Sequence, residues 1–307
     1  MKDMICICGP TASGKTGLAV ELAKKLEGEV VSCDSMQIYR GMDVGTAKPT
    51  AAETLGVPHH LIDVADPGED FSVSRYVELA DAAIRDIQSR GKPAIVCGGT
   101  GLYMDSLVKG KAFAAPTRPA QREYVEGIAE KHGIEYVYDM LKDADPETAE
   151  RLHLSDRKRI IRAMEVFLIT GQPLSWHSAQ SRLQAPKYEP AWIGLSFRDR
   201  NKLYARIDRR VDEMAKLGLE GEVRALLDRG VDPKTTAMQA IGYKEMAQAI
   251  RGECTVEQAL EQIKQASRRY AKRQLTWFRR NEKIRWIYMD ETKDPAAEAL
   301  RILAEDR

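Results

Sequence analysis

A short apolar run, Met4-Ile5-Cys6-Ile7-Cys8, leads directly into Gly9-Pro10-Thr11-Ala12-Ser13-Gly14-Lys15-Thr16, after which apolar residues recur at helical spacing from Lys15 to Leu26. Every fixed position of the pattern GxxxxGK[ST] is filled, between a strand and a helix, the setting in which the pattern carries meaning. Glycines at the first and sixth positions let backbone N–H groups close around phosphate oxygens, and the helix N-terminus adds a favourable dipole. Lys15 brings a mobile positive charge, and the Thr16 hydroxyl can ligate Mg²⁺. The whole stretch Gly9 to Thr16 is therefore expected to bind a diphosphate or a nucleotide.

Strand and helix patterns alternate after this loop. Glu29–Cys33 and Pro93–Cys97 read as strands, and Val73–Arg90 as a helix. Such alternation implies a parallel sheet with right-handed crossovers. From Pro116 to Pro186 only helical patterns occur, at Gln121–Lys131, Ile134–Leu141, Pro146–Leu152 and Asp156–Thr170. A strand at Ala191–Phe197 resumes the first pattern. Helices over Asp199–Gly230, Gly242–Gly252 and Thr255–Arg280, a strand at Lys283–Tyr288 and a terminal helix follow. The expected fold class is α/β: a P-loop parallel-sheet core, P-loop NTPase-like, over residues 1–115 and 187–307, with an all-helical insertion domain at 116–186. The 307 residues suit about two domains.

Lys and Arg total 47 against 46 Asp and Glu, a net charge of +1, which excludes a globally basic nucleic-acid binder but leaves room for a local basic face. No apolar run approaches the roughly 18 residues a membrane helix needs, and residues 4–8 are too short for a signal peptide. The five cysteines form no CxxC pair, so reduced thiols in a cytoplasmic protein are expected and no zinc site is.

A nucleotide-hydrolysing loop usually has a companion strand of apolar residues that ends in a Mg²⁺-anchoring aspartate. Here Ala94-Ile95-Val96-Cys97 ends in glycine, and the strand-end acid near the loop in sequence is Asp34. Ligands of open parallel sheets bind at the carboxyl ends of strands. Asp34 is thus expected to face the loop, where it could accept a proton or hold Mg²⁺ through water. Gln37 has the donor and acceptor needed to read an adenine edge.

GPTASGKT, DSMQIYRGMDVGTAKP at Asp34–Pro49, HHLIDV at His59–Val64, GGTGLY at Gly98–Tyr103, RKRIIRAMEV at Arg157–Val166 and QAIGYKE at Gln239–Glu245 resemble, in order and along nearly the whole chain, the bacterial tRNA dimethylallyltransferases. The resemblance implies transfer of a dimethylallyl group from dimethylallyl diphosphate to N6 of the adenosine just 3′ of the anticodon, with the phosphate loop holding the donor's diphosphate. It implies that Asp34 is the general base, that Asp34, Ser35, Met36 and Gln37 contact the target adenosine, that Thr100 lies at the reaction channel, and that Arg206 binds the leaving diphosphate. The insertion is implied to grip the anticodon stem-loop, with Arg122, Arg157, Lys158, Arg159 and Arg162 as its expected tRNA contacts. The catalytic set is then Asp34, Lys15, Thr16 and Arg206, with Mg²⁺ on Thr16. The implied partners are tRNA and dimethylallyl diphosphate, with no membrane, and a monomer is expected.

Eight basic residues lie between Lys264 and Lys283, opposed in sequence by Glu282 alone. Arg268 with Lys272, and Arg269 with Arg273, are like-charge pairs four residues apart on one helix. They repel, so an external anion such as an RNA backbone is expected to compensate them. Trp277 and Phe278 are candidate packing or stacking groups. Arg210 is expected to pair with Asp212 or Glu213 at the surface, and His59 and His60 to be structural. The competing readings are a P-loop small-molecule kinase, an adenylate isopentenyltransferase acting on free nucleotide, and a non-catalytic, nucleotide-gated RNA-binding module.

Overall fold

A computed structural model of the chain describes residues 4–110 and 118–305. They fall into two compact units, Met1–Val108 with Tyr188–Arg307, and Lys109–Lys187. The expected start of the insertion at Pro116 lies outside the described residues.

The larger unit holds six strands: β1 (Met4–Cys8), β2 (Glu29–Ser32), β3 (His59–His60), β4 (Ala94–Gly98), β5 (Ala191–Ser196) and β6 (Arg285–Tyr288). They form one parallel sheet in the order β3-β2-β4-β1-β5-β6. β1, β2, β4 and β5 are buried along their whole length; β1, β4 and β5 accordingly read as near-continuous apolar runs rather than alternating ones, while β2 buries Glu29 and Ser32 at its two ends. β3 is only two residues long, too short to leave a periodic signal. The helices of this unit are α1 (Lys15–Leu26), α2 (Ala51–Thr54), α3 (Val73–Ser89) and α4 (Gly101–Lys109) before the smaller unit, with α10 (Arg200–Lys216), α11 (Leu219–Asp228), α12 (Tyr243–Ile250), α13 (Val256–Phe278) and α14 (Pro295–Glu305) after it. One core layer packs α1 and α14 on the sheet through Leu18, Leu22, Ile302 and Leu303. The other, built around Tyr39, Tyr76, Met104, Tyr243 and Phe278, covers the opposite face. Successive strands run to either side of β1, so the chain reverses direction around it, and that is where ligands settle in such sheets.

The helix expected over Asp199–Gly230 is two helices. Gly218, at φ +95°, breaks the run and opens α11. α13 starts on a capping box between Thr255 and Gln258 and spans about 35 Å, at 1.5 Å per residue. At the far end of the sheet from the strand tips, the buried Glu29 carboxylate is held by Arg90, Lys92 and His60, so His60 has a structural partner.

The smaller unit contains α5 (Pro119–His132), α6 (Ile134–Ala144), α7 (Pro146–Glu150), α8 (Arg157–Thr170) and α9 (Leu174–Leu183). Its own core is formed by Val125, Ala129, Val137, Leu141, Ile160, Ile161 and Met164. Among the described residues, no helix is long and apolar enough to cross a membrane.

Candidate active site

The carboxyl ends of β1, β2 and β4 converge on a cavity of about 360 Å³ within the larger unit. The loop after β1 forms its floor. Gly9 sits at φ +146°, and a Cβ there would fall 2.5 Å from the Leu195 carbonyl oxygen, so only glycine lets the chain turn this close to β5. Ala12 adopts a left-handed conformation at φ 61°, an uncommon one for a residue with a side chain. This turns its carbonyl outward, where Arg206 Nε of α10 donates to it at 2.9 Å. The Arg206 guanidinium is thereby seated against the loop, although Arg206 is not among the residues that line the cavity.

Lys15 lines the cavity, and its Nζ donates to the Pro10 carbonyl at 2.6 Å. Burial lowers its pKa from the usual lysine range to about 8, with the nearby Arg210 charge lowering it further and Asp34 opposing. A bound polyphosphate favours the charged amine, so binding near this pH takes up a proton. Pyrophosphate affinity is expected to fall as pH rises above about 8, by up to about tenfold per unit. Calorimetry in buffers of different ionisation heat should report the proton uptake, and Lys15→Arg should abolish it. A pH-independent affinity from pH 7 to 9.5 in the unaltered protein would contradict this assignment.

Asp34 follows β2 and lines the same cavity as Lys15 and Thr16. Its Oδ1 accepts the Met36 N–H at 2.9 Å and the Gln37 N–H at 3.4 Å, so one oxygen shapes the turn. The Gln37 amide is engaged within the protein: Oε1 accepts from the Ser32 hydroxyl at 3.1 Å, and Nε2 donates to the Thr46 and Ala47 carbonyls at 3.4 and 3.3 Å. The Thr100 hydroxyl accepts the Ser35 N–H at 3.1 Å, joining the turn after β2 to the N-terminus of α4. Met36 packs against the core. Among the described residues no three His, Cys, Asp or Glu side chains cluster to hold a metal ion. Thr16 and Asp34 alone suit Mg²⁺ that arrives on a substrate's phosphates, since this ion typically takes one or two protein ligands and keeps water.

Arg210 differs from expectation. Rather than pairing at the surface, it lies one turn after Arg206 on α10, lines the cavity and donates to the Thr46 carbonyl at 3.4 Å. Asp212, its expected partner, instead holds Lys264 of α13 at 2.8 Å. Burial lowers the Arg210 pKa, partly offset by the charge of Asp34. Its side of α10 could not be chosen from sequence because both of its acidic neighbours were plausible partners.

The basic helix is also less uniform than its sequence implies. Arg268 is paired with Asp208 of α10, so its compensating anion is internal. Arg269, Lys272 and Arg273 are exposed, and Arg273 reaches the cavity. Phe278 is buried, and Trp277 Nε1 donates to Asp105 at 3.1 Å, so these aromatics are fixed inside the larger unit. In the smaller unit Arg122 pairs with Glu126, Arg159 with Asp156 and Arg162 with the buried Glu165, while Arg157 and Lys158 are exposed.

Among the cavity residues that the sequence did not single out as site residues are Tyr270 and Gln274 of α13. Ile263, Ser267, Tyr270 and Gln274 recur at intervals of three to four, one stripe of a helix facing the cavity. The spacing of that stripe is visible in the sequence, but the burial of Gln274 and its partners come only from the tertiary structure. Burial raises the Tyr270 phenol to about 12, with the Asp34 charge adding to the rise, and burial likewise raises the Cys97 thiol to about 12. Both stay neutral near pH 7. Away from the charged loop, Met214, Ala240, Ile241 and Ile263 give the cavity an apolar wall.

A family model described as IPP transferase matches residues 37–281, and one described as isopentenyl transferase matches residues 2–66. A tRNA dimethylallyltransferase of Thermoanaerobacter sp. is 47% identical over 294 residues, covering 95% of this chain and 93% of the relative. One from Geobacillus thermodenitrificans is 48% identical over 303 residues, covering 98% and 94%. Among solved structures, the tRNA isopentenylpyrophosphate transferase of Bacillus halodurans superposes with a TM-score of 0.74 at 42% identity, over 99% of this chain and 96% of that one. A eukaryotic dimethylallyltransferase acting on tRNA superposes with a TM-score of 0.84 at 28% identity, over 100% and 79%.

Proposed function

The chain belongs to the IPP transferase family, and from that premise we propose that it is a prenyltransferase that moves a dimethylallyl group from dimethylallyl diphosphate to N6 of the adenosine 3′-adjacent to the anticodon in tRNA. The observation that carries the reading is one cavity lined by Thr11, Lys15 and Thr16 of the phosphate loop, by Asp34 and by an apolar wall.

N6 of adenine is a weak nucleophile because its lone pair is delocalised into the ring. In the transfer, N6 bonds to C1 of the dimethylallyl group, the bond from C1 to the diphosphate oxygen breaks, and N6 gives up a proton. Lys15, Arg206 and the loop N–H groups stabilise the charge that gathers on the departing diphosphate. Asp34, through the oxygen its turn does not use, takes the N6 proton as the new bond forms. Arg210 adds a second arginine beside both groups. The wall of Met214, Ala240, Ile241 and Ile263 receives the apolar chain and excludes water, which would otherwise capture a cation-like allylic group. Mg²⁺ carried on the diphosphate, with the Thr16 hydroxyl as a ligand, would supply further charge neutralisation.

The target base must leave its stack to enter such a cavity. Ser35, Met36, Gln37 and Thr100 support the turn that frames the entry of that base. Arg269, Lys272 and Arg273, with Arg157 and Lys158 of the smaller unit, are exposed and offer charge to the RNA backbone. Arg122, Arg159, Arg162 and Arg268 must share their charge with the carboxylates they already hold. We place the protein in the cytoplasm, a reading supported by its five free cysteines, which stay reduced there.

Incubation with radiolabelled dimethylallyl diphosphate should place label in bulk tRNA, at an adenosine next to the anticodon, and not in AMP. Label in AMP alone would favour the adenylate isopentenyltransferase reading, and ATP turnover without label transfer would favour the kinase.

A further inference from the structure

Gln274 of α13 reaches the phosphate loop from 263 residues away in sequence. Its Oε1 accepts the Thr11 N–H at 2.9 Å, and its Nε2 donates to the Gly99 carbonyl at 2.9 Å. The residue is 5% exposed. The amide orientation is forced, because the reverse would set an N–H against the Thr11 N–H and an oxygen against the Gly99 oxygen. The contact is also tight: a Cβ on Gly99 would lie 2.2 Å from Nε2.

Thr11 is the third residue of an eight-residue phosphate loop. In such loops the backbone N–H groups are the phosphate donors, and the helix N-terminus anchors the first phosphates. Pro10 has no N–H to give. The Thr11 N–H is already used by Gln274. The strand-side half of the loop therefore offers a bound polyphosphate neither of these donors, while Ala12 to Thr16 and Lys15 Nζ remain. Two phosphates seated at the start of α1 can be satisfied by the helix-side donors. A third, extending back along the loop, would meet a prolyl ring, a satisfied amide and the Gln274 carbonyl oxygen, whose lone pairs repel an anion.

We propose that Gln274 is a specificity-determining residue that shortens the phosphate cradle, so that the loop takes a diphosphate donor and rejects a triphosphate. The inference rests on the donor reading above and adds the residue that enforces it.

The test measures inorganic pyrophosphate and inorganic tripolyphosphate binding to the full chain by calorimetry, for the unaltered protein and for Gln274→Met and Gln274→Glu. The methionine keeps length and packing but frees the Thr11 N–H. The tripolyphosphate-to-pyrophosphate affinity ratio should rise by about tenfold or more, the scale of one hydrogen bond to a charged group. Gln274→Glu still accepts from Thr11 and adds negative charge, so its ratio should not rise. An unchanged ratio in a Gln274→Met protein that still binds pyrophosphate would overturn the inference and leave the donor reading standing. An unaltered protein that binds neither anion would overturn both. If the methionine variant does not fold, the unaltered protein still decides the matter by amide NMR: pyrophosphate saturation should move the Ala12 to Thr16 amide signals and leave Thr11 nearly in place. A Thr11 shift as large as the others would mean the phosphate takes that amide, against the proposal.

Discussion

Asp34→Asn is expected to lower the single-turnover rate of dimethylallyl transfer by about 10²–10⁴-fold, the usual span of a general base, while donor and tRNA affinity stay near normal. The asparagine variant is sharper than alanine for a structural reason. Oδ1 of Asp34 accepts the Met36 and Gln37 N–H groups, and the asparagine oxygen can accept both. The turn therefore persists, and the lost element is the basic oxygen. Asp34→Ala removes the turn's acceptor as well and should also misplace Ser35, which binds Thr100. A group needed only as the bond forms lowers turnover without weakening ground-state binding. If Asp34 instead serves mainly to hold Mg²⁺, donor affinity should fall in both variants and recover in part at high Mg²⁺. Near-normal single-turnover transfer by Asp34→Asn would remove it from proton transfer.

Lys15→Ala should lower kcat/KM for dimethylallyl diphosphate by about 10²–10³-fold, the scale of deleting one partner of a desolvated charge contact. The loss should divide between KM and kcat. The amine holds the diphosphate in the ground state and meets more charge as the C–O bond breaks. Its surroundings support a large effect: Lys15 is buried enough to bring its pKa to about 8, so water screens little of its charge. The fold should be unaffected, because the hydrogen bond to the Pro10 carbonyl is local, and thermal unfolding should confirm that. A loss smaller than threefold would move the diphosphate away from this loop.

Much of the scaffold was readable because it rests on short-range rules. A buried parallel strand is largely apolar, so β1, β4 and β5 stood out along with the Val30-Val31 centre of β2, and the loop between β1 and α1 has a spacing that backbone geometry dictates. A two-residue strand such as β3 and a helix of four residues such as α2 carry too few positions to show a period. The break between α10 and α11 depended on Gly218 taking a left-handed conformation, which a glycine inside an apolar helical pattern permits without announcing.

The sequence by itself determined the chemistry available: a phosphate loop with its lysine and threonine, an acid at a strand end, and no acid at the end of the strand that usually supplies one. These follow from residue type and local spacing. Tertiary structure alone decided which charges are spent and which remain free. α10 and α13 are far apart in the chain, and their pairing neutralises Arg268 with Asp208 and Lys264 with Asp212. The same pairing turns Arg210 into the cavity and carries Gln274 to the Thr11 amide. The reason is physical: a charge or a buried amide is defined by what lies within about 3 Å of it, and for these residues the partner comes from a distant part of the chain, which no periodicity along one segment can report.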